Sequence, residues 1–112
     1  MNPAHKVLVA TQTLLADESR WSQLAPARTP SGEICQSTTS KAAKFCLLTA
    51  LIRSAEEIGL HEVHLMHFVE QAIMEITGVD AMRVSVLGFN DNADHATVMR
   101  AIGRAVELAK AA

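Results

Sequence analysis

Apolar residues recur along most of this chain at the spacing of amphipathic helices. In the first such stretch, Val7, Thr11, Leu14 and Leu15 share one face, and neither Gly nor Pro interrupts the pattern. The same periodicity predicts four helices in all, over residues 4 to 17, 39 to 58, 61 to 77 and 94 to 111.

Residues at the ends of these patterns indicate where the helices start and stop. Gly59 and Gly78 follow the second and third patterns, where glycine ends helices in the left-handed conformation. Asp94 is the expected N-cap of the last helix, and Asn92 is the alternative. The second helix is apolar around most of its circumference, which is typical of a central helix.

Two other segments favour extended structure. Thr29-Pro30-Ser31-Gly32 predicts a type I turn, because Pro and Gly occupy its preferred second and fourth positions. We therefore expect a short β-hairpin between residues 24 to 28 and 33 to 36. Val84 and Val86 alternate with polar residues and predict a short strand or an extended packing segment over residues 83 to 89. The fold expected is mainly α, with about four helices around one core and a short β-hairpin or β-like segments.

Length and composition predict one compact domain over residues 1 to 112. About half of the residues are hydrophobic and a fifth are charged, as in ordinary globular proteins. No basic cluster with aromatic residues suggests nucleic-acid binding. No apolar stretch approaches the roughly 20 residues of a membrane helix, and the start does not resemble a secretory leader. The expected location is the cytoplasm.

Charge and cysteine content bear on partners and redox state. Residues 1 to 53 carry six Lys or Arg against three acids, whereas residues 54 to 112 carry four against nine. This asymmetry favours head-to-tail association, or it disappears when the halves pack together, and we favour the second outcome. Cys35 and Cys46 are expected to be reduced thiols, since this chain is long enough to build a core without a disulfide.

A nucleophilic site is one interpretation of the polar residues. Cys46 could act as the nucleophile with His95 as base and Asn90 or Asp91 as orienting group. The pattern nevertheless places Cys46 in the middle of an apolar helix, where a thiol is usually inert. No catalytic residue is therefore assigned.

Metal binding is likewise the minority interpretation. His61, His64 and His67 follow one another at three-residue spacing, which lets neighbours but not all three share an ion. The run Asn90-Asp91-Asn92-Ala93-Asp94 has the composition of a calcium loop but lacks its glycine and distal glutamate. It fits a polar turn and helix cap better. No metal or cofactor is predicted.

Several short motifs together resemble a family of small, uncharacterised bacterial and phage proteins. The matching positions are Trp21, Ala27, Arg28, Gly32, Cys46, Leu47, Ala50, Leu51, Phe89, Asn90, Asp91 and Thr97. Thr49 stands where that family commonly has Gly, and Phe89 where it commonly has Trp. The resemblance implies a compact, mainly helical domain in which Trp21, Cys46 and Asn90-Asp91 cluster, and it supplies no reaction.

The function expected is that of a small, non-enzymatic binding or regulatory module, phage-related, that acts through a protein partner or as a homo-oligomer. The alternative is a small enzyme or a binding protein for a small anionic ligand, such as a metabolite or nucleotide, with its site near Cys46 and Asn90-Asp91. The predicted ligand-binding residues are Trp21, Arg28, Cys46, Asn90, Asp91 and His95.

Overall fold

A computed structural model describes residues 2–112 of the chain, and within them lie five α-helices and a small antiparallel sheet. The helices are α1 (Pro3–Leu15), α2 (Leu47–Ile58), α3 (Met66–Thr77), α4 (Val86–Asn92) and α5 (His95–Ala111). The strands are β1 (Ala27–Arg28), β2 (Ile34–Cys35) and β3 (Lys44–Phe45). Single 3₁₀ turns occupy Glu18–Arg20 and Glu62–His64. The mainly α fold class is confirmed.

The core lies between four packed helices. α1 packs against α2 and α5, and α3 also packs against α5. Their fully buried side chains include Leu8, Leu51, Ile73 and Ile102. Burying such aliphatic side chains stabilises a fold by roughly 1.5–3 kcal/mol each. No helix in residues 2–112 combines the length and hydrophobicity needed to cross a bilayer.

The predicted hairpin is confirmed and gains a third strand. β1 pairs antiparallel with β2 in the register Ala27↔Cys35, and Gly32 N donates to Thr29 O at 2.9 Å across the turn. Gly32 has a φ of 95°, the left-handed conformation that ends many hairpin loops. β3 covers the other edge of β1, so β1 is central.

The predicted start of the second helix at residue 39 is wrong. Lys44 and Phe45 pair with β1, and α2 begins at Leu47 after the N-cap Cys46. Phe45 is buried within the core through this strand. Pairing with β1 satisfies backbone groups through a distant segment, which a local periodicity does not reveal.

The short strand or extended packing segment predicted over residues 83 to 89 is also wrong, because α4 begins at Val86 within it. The Ser85 side chain accepts a hydrogen bond from Gly88 N at 3.0 Å and caps the helix. The alternation of the two valines with polar residues had suggested a strand, yet Val86 is buried and Val84 only partly buried. The expected polar turn at Asn90-Asp91-Asn92 is consequently the last turn of a helix.

Most predicted helix ends are confirmed. Gly59 and Gly78 adopt left-handed φ values of 84° and 78° at the ends of α2 and α3. Asp94, and not Asn92, caps α5 by accepting from Thr97 N at 2.8 Å. The third predicted helix begins later than expected, since Glu62–His64 forms a separate 3₁₀ turn before α3.

Candidate functional site

Asn90 is the centre of the predicted cluster. It lies on the buried side of α4, and its side chain is fully shielded from solvent. Its Oδ1 accepts from Trp21 Nε1 at 2.7 Å and from Leu47 N at 3.0 Å, while its Nδ2 donates to Ser22 O at 2.9 Å. One amide thus joins α4, the first turn of α2 and the segment before β1. The predicted proximity of the Cys46 and Asn90 segments is confirmed.

The segment after Trp21 also satisfies the carboxyl end of α4. The last carbonyls of a helix have no partner within it. Gln23 Nε2 donates to Asn90 O at 3.0 Å and to Ala93 O at 2.7 Å, and Leu24 N donates to Asp91 Oδ1 at 2.8 Å. Gln23 was missed by the sequence analysis, because a glutamine in a loop carries no local sign of a partner 70 residues away.

Cys46 lies beside Asn90 at the start of α2, not in the middle of the helix. Its sulfur accepts from Thr49 N at 3.4 Å and donates to Thr49 Oγ1 at 3.3 Å. The thiol therefore acts as an N-cap, and only 2% of the residue is exposed. Cys46 N also donates to Pro26 O at 3.2 Å.

Arg28 and His95 lie on the periphery of the cluster. Arg28 donates to Gly32 O at 2.9 Å and to Gln23 O at 3.2 Å, so its guanidinium fastens the hairpin turn to the Asn90 cluster. The His95 ring lies 5.5 Å from the Trp21 ring, measured between centroids, and its Nε2 is 2.7 Å from Leu15 O. This imidazole satisfies a carbonyl at the carboxyl end of α1.

The nucleophilic arrangement is not assembled in this structure. The Cys46 thiol bonds Thr49, the His95 ring bonds Leu15 O, and Asn90 bonds Trp21, Ser22 and Leu47. A base within hydrogen-bond reach of the nucleophile is the geometric requirement for such catalysis. Cys46 and His95 share no hydrogen bond.

The histidine series is dispersed around the start of α3. His61 Nδ1 accepts from Val63 N at 3.1 Å and caps the 3₁₀ turn, while His67 stacks on Phe68 with ring centroids 3.9 Å apart. Across residues 2–112, no three His, Cys, Asp or Glu side chains are grouped to hold a metal ion.

Two leucines at the edge of the cluster are exposed to solvent. Leu24 has a φ of 63°, and within residues 2–112 it alone among non-glycine residues has a positive φ. Three-quarters of Leu24 is exposed, and its amide is held by Asp91. Leu87 lies one turn before Asp91 on α4 and is 47% exposed. We call Leu24, Leu87 and Asp91 the Leu24 surface.

Comparison with known proteins gives a family and no function. No curated protein and no solved structure matches the chain. Residues 1–108 match a family of unknown function, which agrees with the resemblance carried by the Trp21, Cys46 and Asn90 motifs. The chain belongs to the family of unknown function DUF6197.

Proposed function

We propose that this protein is a small binding module that docks a protein partner on the Leu24 surface. The observation that carries the proposal is the conformation of Leu24, an exposed leucine held in the left-handed region. A left-handed backbone costs an L-residue roughly 1–2 kcal/mol. Strained residues that the surrounding structure holds in place are concentrated at functional sites.

Folding alone gives little reason for a leucine at position 24. Its side chain is mostly exposed, so it contributes little burial, and Asn or Gly would adopt the same φ more readily. The hydrogen bond from its amide to Asp91 needs no particular side chain at this position. Burial of the leucine in a partner's pocket would offset the strain.

The neighbours of Leu24 suit a docking anchor. Leu87 is a second exposed leucine, one turn before the half-buried Asp91, whose carboxylate accepts from Leu24 N. Interfaces commonly concentrate their binding energy in a few residues, surrounded by near-neutral contacts that exclude water. The partner expected is a protein with an apolar pocket for Leu24 and a Lys or Arg near Asp91.

The small-ligand alternative at Cys46 and Asn90-Asp91 has weaker support. The side chains that would contact a ligand there are hydrogen-bonded to one another or to the backbone. A ligand would have to replace those bonds, and a buried group left without a partner costs about 1–3 kcal/mol. We accordingly propose no reaction at this cluster.

The test compares Leu24→Asn with the native chain in a crosslinking pull-down, followed by affinity measurement with the purified partner. Asparagine tolerates the left-handed conformation, so we expect the free energy of unfolding to rise by about 0.5–1 kcal/mol while partner affinity falls at least tenfold. Leu87→Asn should weaken the same complex. Chemical denaturation measures the stability change.

Val63→Asn is the matched control, because Val63 is 63% exposed and lies in the 3₁₀ turn before α3. It should retain the partner at full affinity. A monomer that captures no partner, or a complex that Leu24→Asn leaves unchanged, contradicts the proposal. A dimer lost in Leu24→Asn would identify the partner as a second copy of the chain.

A further inference from the structure

A cleft of about 320 Å³ opens on a different side of α4 from the Leu24 surface. It lies between the end of α3, the loop before α4 and the start of α5. Its apolar wall includes Ile73, Val79, Phe89 and Ala93, and Arg83 and Thr97 also line it. This volume is at the lower end of the range that small-molecule sites occupy.

Arg83 is the only charged residue that lines the cleft. Its side chain is 80% exposed, and its contact with Asp80 is long, at 3.9 Å between Nη1 and Oδ2. Exposed ion pairs of this kind contribute little, so the guanidinium is available to an anion at small cost. The cleft therefore combines an apolar wall with one positive charge.

We propose that this cleft binds a small monocarboxylic acid with an aliphatic tail. The tail would lie against Ile73, Val79 and Phe89, and the carboxylate would pair with Arg83. A guanidinium matches a planar carboxylate with two parallel hydrogen bonds. Once it leaves its long contact with Asp80, the single cation balances a monoanion, whereas a phosphate dianion would carry unmatched charge. This site is independent of the proposed protein docking.

The test titrates the full chain with octanoate, below its micelle concentration, and with two probes of equal chain length, 1-octanol and octylammonium. Isothermal calorimetry gives affinity, and amide chemical shifts locate the site. We expect octanoate to bind at least tenfold more tightly than either probe, with shifts at Phe89, Ala93 and Thr97. Arg83→Gln should weaken octanoate binding at least tenfold and leave 1-octanol unaffected.

Arg100→Gln is the matched control, since Arg100 is exposed on α5 and does not line the cleft. It should bind octanoate as the native chain does. Ala93→Leu fills the cleft and should abolish binding, with circular dichroism confirming that the variant folds. The proposal is overturned by no octanoate binding, by equal affinity for 1-octanol, by shifts elsewhere, or by unchanged binding in Arg83→Gln or folded Ala93→Leu.

Discussion

At the scale of single residues, the polar groups that suggested a ligand site serve one another. Asn90 is buried without cost because Trp21, Leu47 and Ser22 provide two donors and an acceptor. Trp21 is partly buried and anchored through its indole nitrogen. Ligand binding by these residues stays a prediction, while their structural role follows directly from the contacts.

Replacing Asn90 with Leu should destabilise the protein by at least about 3 kcal/mol. The variant keeps the approximate volume but leaves the Leu47 amide, the Ser22 carbonyl and the indole N–H without their partner, and each buried unsatisfied group costs about 1–3 kcal/mol. Urea denaturation measures the change. Asn92→Ala is the control, because that exposed side chain donates only to Gly88 O and should shift stability by less than about 0.5 kcal/mol.

The two cysteines should differ sharply in reactivity. Cys46 is buried at the N-cap of α2, whereas Cys35 is partly exposed on β2. A thiol reagent should therefore modify one cysteine in the native protein and the second only after unfolding. Cys35→Ser should remove the fast phase. If Cys46 instead reacts rapidly in the native state, the nucleophilic interpretation regains support.

At the scale of elements, local sequence signals predicted the caps at Gly59, Gly78 and Asp94 correctly. They did not predict the start of α2 or the presence of α4. The cap at Asp94 and the glycines after α2 and α3 act within a few residues, so their chemistry is visible in the sequence. β3 and α4 depend on distant partners. β3 pairs with β1, which precedes it in the chain, and Gln23 donates hydrogen bonds to the end of α4.

Asp94 should make the stability of α5 sensitive to acid. Hydrogen bonds from the Thr97 hydroxyl and amide hold the pKa of the Asp94 carboxyl below its ordinary value. With a lower pKa in the folded state, the stabilisation is complete above about pH 3.9, the unfolded value, and is lost as pH falls through the folded value. Thermal melts between about pH 2 and pH 7 should show this loss.

Two variants separate the cap from its charge. Asp94→Ala should lower Tm at neutral pH because the Thr97 amide loses its acceptor. Asp94→Asn should keep most of the stability at neutral pH and show a weaker acid-dependent loss than the native protein. Identical acid profiles for the native protein and Asp94→Asn would exclude Asp94 as the titrating group.

At the scale of the whole molecule, hydrogen bonds between residues distant in sequence hold the helices and the small sheet together. Asn2 Nδ2 donates to Ala109 O at 2.9 Å, which links the start of α1 to the last turn of α5. Asn90 links the small sheet to α2 and α4 through Trp21, Ser22 and Leu47. These links predict that the chain unfolds as one cooperative unit.

Trp21 offers a direct measurement of that cooperativity. It is the single tryptophan, and its fluorescence reports on the segment that precedes α2. Its fluorescence and the helical circular dichroism signal should change with the same midpoint and the same slope in urea. An earlier fluorescence transition would mean that residues 21 to 46 unfold separately from the helices.

Sequence patterns were sufficient to predict the helical class, the helices over most of α1, α3 and α5, the hairpin turn and the caps at Gly59, Gly78 and Asp94. These depend on side-chain periodicity and on hydrogen bonds between near neighbours. The folded arrangement was needed to reveal the third strand, the helical state of α4, the Asn90 hydrogen bonds, the exposed Leu24 and the cleft beside Arg83. Each of these requires groups distant along the chain to meet, and the free energy of such contacts depends on the whole packed arrangement.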